Sequence, residues 1–193
     1  AGISLSDLTT IAINSNPKSN YLRKITHILR HRTSLGLIKD RLQNANARKT
    51  ILQSIEDAFP LHEFNGQIKY INHHLSHLAS AFYTSPYESS AIISIDGFGD
   101  FSSGCWGIGK ANKINVGGNV YYPHSLGVFY QAITQLIGFP NYGDEYKVMG
   151  LAPYGQPRYL NEMRRIVLLQ EDGTYKLDLK YFIFHKERVA YEW

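Results

Sequence analysis

Residues 91–100 read Ala91-Ile92-Ile93-Ser94-Ile95-Asp96-Gly97-Phe98-Gly99-Asp100, an apolar run that stops on an acid flanked by glycines. Five residues rich in β-branched side chains are too few for a helix and right for a buried strand. Residues 96–100 then read as the loop that closes this strand. Downstream, residues 101–110 and 114–122 suggest strands that return antiparallel, with Gly117-Gly118 as a bend. Upstream, Ile68, Tyr70 and Ile71 suggest a short strand, and residues 73–83 a helix ended by Ser85-Pro86.

The same alternation extends to both ends. Ser4-Leu5-Ser6-Asp7-Leu8 begins like a capped turn, and residues 9–14 predict a strand stopped at Asn16-Pro17. Tyr21, Leu22, Ile25, Ile28 and Leu29 recur at helical spacing, and Ile38, Leu42, Ala45, Ile51, Leu52, Ile55 and Ala58 predict a second helix. Residues 126–137 form a further helical pattern, stopped at Gly138-Phe139-Pro140. Residues 166–169 and 175–179 read as a last hairpin around Glu171-Asp172-Gly173-Thr174. Strands alternating with helices make this an α/β chain. No internal repeat or low-complexity linker interrupts it.

Composition narrows the classes. The 193 residues are 44% hydrophobic and 19% charged, enough for one core and one domain or part of one. No stretch reaches the roughly 18 apolar residues of a membrane helix, and the N-terminus lacks a secretory signal, so no membrane partner is expected. The single cysteine, Cys105, excludes an internal disulfide framework and fits a reducing compartment, so a cytoplasmic location is expected. Cys105 has no sequence-near His and reads as a buried thiol. There is no initiator Met, which suggests a piece of a longer protein. The net charge of +4 is concentrated in Lys18, Arg23, Lys24, Arg30, Arg32, Lys39, Arg41, Arg48 and Lys49 against Asp40. Such a cluster could meet RNA or an acidic partner, but with only Tyr21 to stack on a base it reads better as solvated helix faces, and nucleic acid is disfavoured.

Three segments carry chemistry. In Asn72-His73-His74-Leu75-Ser76-His77, residues four apart on a helix lie one above the other, so His73 and His77 can aim both imidazoles at one divalent ion, while His74 points to the core or to a phosphate. The alternative is a purely structural pair. Asp96, at the carboxyl end of its strand, sits where ligand sites of open α/β sheets gather, and it completes a three-ligand set with open coordination positions. It could equally be a turn residue. Gly97 and Gly99 let backbone amides approach a phosphate, although glycine-rich hairpins without ligands are common. In Gly143-Asp144-Glu145-Tyr146-Lys147-Val148-Met149-Gly150-Leu151-Ala152-Pro153-Tyr154-Gly155, Lys147 could neutralise phosphate and Glu145 could orient it; the bland reading is a helix capped by Gly150 with a solvent ion pair.

Taken together, His73-His74-Leu75-Ser76-His77-Leu78-Ala79-Ser80-Ala81-Phe82, Ser85-Pro86, Ile95-Asp96-Gly97 and the run from Gly143 to Gly155 occur in the order seen in a known family. The chain resembles the O-carbamoyltransferases of nodulation-factor and antibiotic biosynthesis. The resemblance implies a ribonuclease-H-like, actin-like ATPase fold, a mixed sheet flanked by helices, related to the tRNA threonylcarbamoyl-transfer protein. Residues 1–193 would be a partial N-terminal actin-like domain, with its first strand and hairpin before Ala1 and its other half downstream. The family implies a divalent metal, often iron, with zinc or manganese also suited, held by His73, His77 and Asp96. It further implies that carbamoyl phosphate and ATP form a carbamoyl-adenylate in a separate domain. The carbamoyl group then passes to a small-molecule hydroxyl acceptor, with Asp96 or His74 taking the proton and Lys147 steadying phosphate. The piece alone is expected to be inactive. A threonylcarbamoyl-transfer relative and an anion- or RNA-binding module are the alternatives, and a homodimer is one open assembly state.

Overall fold

A computed structural model describes residues 4–31 and 51–186. Its elements, in chain order, are β1 (Thr10–Ile13), α1 (Tyr21–His31), α2 (Ile51–Ala58), β2 (Gln67–Tyr70), α3 (His73–Phe82), β3 (Ser89–Gly99), β4 (Ser102–Lys110), β5 (Lys113–Tyr121), α4 (Leu126–Leu136), α5 (Glu145–Leu151), α6 (Leu160–Ile166), β6 (Val167–Leu169) and β7 (Tyr175–Leu177). The chain is a mixed α/β protein. The first part of the helix expected from Ile38 onward, and the cationic residues Arg32 to Lys49, lie outside the described residues.

Among the described residues the strands pair as three small sheets, a parallel pair β1-β2, an antiparallel meander β3-β4-β5 and an antiparallel pair β6-β7. Within the meander β3 is an edge strand. What ties β1 to it is a side chain, as described below. In β3, Ile92 and Ser94 alternate with exposed neighbours, the period-2 pattern of a strand covered on one face, whereas the central β4 is buried through residues 102–105. The cover is α3, which sets Leu78 and Phe82 against Ile92 and Cys105, with Ile114 packed on the group. Burying side chains of that size is worth about 1.5–3 kcal/mol each.

The meander contains two departures from expectation. Residues 96–99 are not a loop: β3 continues through Asp96 to Gly99, with a register irregularity between Ile95 and Gly99. The turn comes at Asp100 and Phe101, which hold left-handed φ values of 54° and 68° without being glycine. The bend expected at Gly117-Gly118 is present as a register shift opposite Trp106 and Gly107. The helix in the 143–155 run does not stop at Gly150 but continues through Leu151 into a 3-10 turn at Ala152–Tyr154.

Candidate metal centre

Asn72 precedes α3 and accepts the Leu75 N–H with its side-chain oxygen at 3.0 Å, the N-cap geometry that starts the helix at His73. Position 73 is thereby the first residue of the helix and position 77 lies one turn on. Both imidazoles turn toward the carboxyl end of β3. His73 Nε2 lies 2.8 Å from Asp96 Oδ2 and 3.1 Å from His77 Nε2, and His77 Nε2 lies 3.6 Å from the same carboxylate oxygen. Among the described residues these three side chains converge on one point.

The protons decide what the point can hold. His73 Nδ1 is 3.1 Å from the Asn14 carbonyl oxygen, which can only accept, so Nδ1 carries a proton and the neutral form of the ring presents its Nε2 lone pair to Asp96 and His77. In that form the lone pair meets the Asp96 carboxylate at 2.8 Å, with His77 Nε2 3.1 Å and 3.6 Å from the two. A single proton could close one of these contacts; a divalent cation answers all three. Ligands each about 2.0–2.2 Å from a common ion stand roughly 3–3.5 Å apart, near the spacing found. A histidine donating its other ring nitrogen to a backbone carbonyl is also the usual arrangement of a metal ligand. The donor set therefore fits a divalent ion, and nitrogen plus carboxylate oxygen suits iron, zinc and manganese alike.

Side-chain exposures of 20% for His73, 40% for Asp96 and 48% for His77 leave the cluster open on one side. Burial works against the Asp96 charge, but a hydrogen bond from His73 in its protonated form, the Gly97 N–H on Oδ1 at 2.6 Å and the positive charge of protonated imidazoles outweigh it, holding the carboxyl below the usual carboxylate range.

The cluster is held by residues whose roles are not evident in sequence. Asp100 accepts the Asn16 N–H at 2.8 and 2.9 Å, the Ser15 hydroxyl at 3.1 Å and the His73 N–H at 2.8 Å, while its carbonyl accepts Asn20 Nδ2 at 2.8 Å. One carboxylate thus joins the end of β1, the start of α3 and the β3–β4 turn. It also places a negative charge at a helix N-terminus, where the backbone dipole favours it. The buried Ser125 caps α4 by accepting the Val128 N–H at 3.1 Å, and its hydroxyl lies 3.1 Å and 2.8 Å from the carbonyls of Asp96 and Gly97. In the first turn of α4, a Cβ at Gly127 would stand 2.7 Å from the Gly97 nitrogen, so only glycine lets the helix approach this strand end. Ser125 carried the ordinary signal of a polar residue before an apolar helix; Asp100 carried none.

The remaining expected site residues fall elsewhere. His74 is fully buried, with Nδ1 2.8 Å from the Ser94 hydroxyl and the Ser102 backbone beside it. Desolvation pushes its pKa down. The reacting role expected for His74 is corrected, because a ring sealed from solvent touches no substrate; it packs the base of the cluster. At Gly99 a Cβ would lie 2.0 Å from the His73 ring, so the missing side chain makes room for that imidazole. Gly97 has open space where a Cβ would stand. Lys147 pairs with Asp144 at 2.7 Å one helical turn away, and the Glu145 backbone carbonyl accepts the Tyr130 hydroxyl at 2.8 Å. Cys105 is buried, and burial pushes its thiol pKa up, as an inert core cysteine requires.

Comparison with known proteins agrees with the family resemblance. The chain is 34% identical over 197 residues to an uncharacterized protein of Synechocystis, covering 94% of this chain and 31% of the relative. It is 39% identical over 114 residues to the nodulation protein NolNO of Sinorhizobium fredii, covering 58% of this chain and 17% of that protein. With the nodulation protein NolO of Bradyrhizobium diazoefficiens it shares 41% over 110 residues, 56% of this chain and 20% of the relative. The chain thus spans at most about a third of the length of these relatives. Residues 8–191 match the family described as the carbamoyltransferase N-terminus, and the chain belongs to that family.

Proposed function

We propose that this chain forms the acceptor- and metal-binding part of an O-carbamoyltransferase built on an actin-like ATPase fold, the rest of which lies in further sequence of the kind its longer relatives carry. The convergence of three potential ligand atoms, from His73, His77 and Asp96, is the observation that carries this reading. A divalent ion held there, iron, zinc or manganese, would supply Lewis acidity toward a carbamoyl carbonyl oxygen.

The protein's own groups do the rest. The solvent-open side of the cluster admits a small-molecule hydroxyl beside Asp96. As the hydroxyl oxygen attacks the carbamoyl carbon of a carbamoyl-adenylate, made from carbamoyl phosphate and ATP, AMP departs with the bonding pair and the hydroxyl proton passes to the Asp96 carboxylate. His73 keeps its orientation through Asn14, and Asp100 holds the helix that presents it. Lys147 stays in reserve as a phosphate contact only where its pair with Asp144 opens.

The test uses the full-length protein with carbamoyl phosphate, ATP and a panel of hydroxyl acceptors, reading carbamoylated product and bound metal together. His73→Ala should abolish both. Undiminished transfer by that variant would end the assignment.

A further inference from the structure

Phe101, next to Asp100 in the chain, lines a surface cavity of about 390 Å³, within the range that small-molecule sites occupy. One wall is a face of α1: Arg23, Thr26, His27 and Arg30, spaced three and four apart so that the two arginines stand two turns, roughly 10 Å, from each other along the helix. The Arg23 guanidinium lies 3.8 Å over the Tyr121 ring, which orients the fork without using its hydrogen-bond donors. Lys176 of β7 adds a third cation from a different element. Against these three permanent cations there is one lining carboxylate, Asp172, whose Oδ1 already accepts the Thr174 N–H at 3.0 Å and the Thr174 hydroxyl at 2.6 Å. The lining is also aromatic, with Phe101 and Tyr122 rings 5.1 Å apart and His27 edge-on to both.

Three cations spread along the cavity, one of them stacked and fork-ready, beside a group of rings, match a ligand with several negative charges and a flat portion. None of the residues of the metal cluster lines this cavity. We propose that the cavity binds a phosphorylated small molecule, its phosphates on Arg23, Arg30 and Lys176 and its ring on the aromatic side chains. The site goes beyond the transferase reading and does not depend on it. Because residues 121–124 of the cavity lead directly into Ser125, which holds the Asp96 and Gly97 carbonyls, a bound ligand also braces the segment beside the metal cluster.

Hydrogen exchange on the full-length protein, with ATP and separately with inorganic triphosphate as probes, tests this. Both should slow exchange in residues 119–124 and 172–176, ATP at the lower concentration. R23A/R30A and, on a different element, K176A should each raise the half-saturating concentration at least tenfold. His77→Ala should leave this protection intact, which separates the cavity from the metal reading. Triphosphate protecting as well as ATP would retain the phosphate site and assign it to phosphates alone. No protection in these segments, or protection unchanged in both R23A/R30A and K176A, overturns the proposal.

Discussion

Two acidic, glycine-rich segments of this chain have very different surroundings. At the carboxyl end of β3, Asp96 meets rings from a helix 23 and 19 positions earlier, and Asp100 reaches a loop 84 residues away. At the start of α5, Asp144 meets Lys147 three positions later and the nearby Asn141. The first network is assembled by contacts between elements and stops working if any element shifts. The second is made within one helical turn and survives almost any change elsewhere. The contrast teaches that a convergent site is recognised by where its partners come from in the chain, since local ion pairs of this kind are common and worth little.

The sharpest way to break the comparison is to remove a ligand. Asp96→Asn should lower metal affinity by at least about 100-fold, read by metal titration and metal analysis of the full-length protein, whereas a substitution at Lys147 should leave metal content unchanged. Gly99→Ala comes next. A methyl 2.0–2.5 Å from the His73 ring must push that imidazole away, so metal affinity should fall about 10–100-fold even though no ligand is altered. Retained affinity in this variant would mean that the ring does not need its present seat.

Asp100→Ala should cost roughly 1–3 kcal/mol in denaturant unfolding, because the N–H groups of Asn16 and His73 lose a charged acceptor. A cost near zero would show that the β1 loop and α3 are held by something else. The smallest effect belongs to the local pair. Lys147→Ala should lower stability slightly at pH 7 and change transfer by less than about threefold.

Its pH dependence has a definite sign. The Lys147 hydrogen bond, helped by Asn141 against partial desolvation, holds the Asp144 pKa below its unfolded value, so the pair stabilises above about pH 4 and fades as pH falls through the lowered pKa. The melting difference between wild type and Lys147→Ala should therefore shrink in acid. A difference that grows below about pH 4 would contradict the pairing.

Much of the secondary structure is legible before any coordinates. The helix at residues 73–83, the strands at residues 101–110 and 114–122 and the hairpin around Gly173 all follow from periodicity and turn residues, and the observed elements lie within a few residues of those expectations. The His73 and His77 pair was legible for the same reason: four-residue spacing on a helix is a local geometric fact. The extension of β3 through Gly99 was not, because Asp-Gly and Gly-Asp read as turn signals, and only pairing with β4 overrides that preference.

From residue types and spacing alone came the α/β alternation and the imidazole pair, since each depends on contacts within a few residues. Only the folded chain decided that His74 is sealed in the core, that Gly99 makes room for a ring and that Asp100 braces the whole cluster. Those outcomes depend on which distant segments come within about 3 Å of one another, a distance that no local pattern encodes.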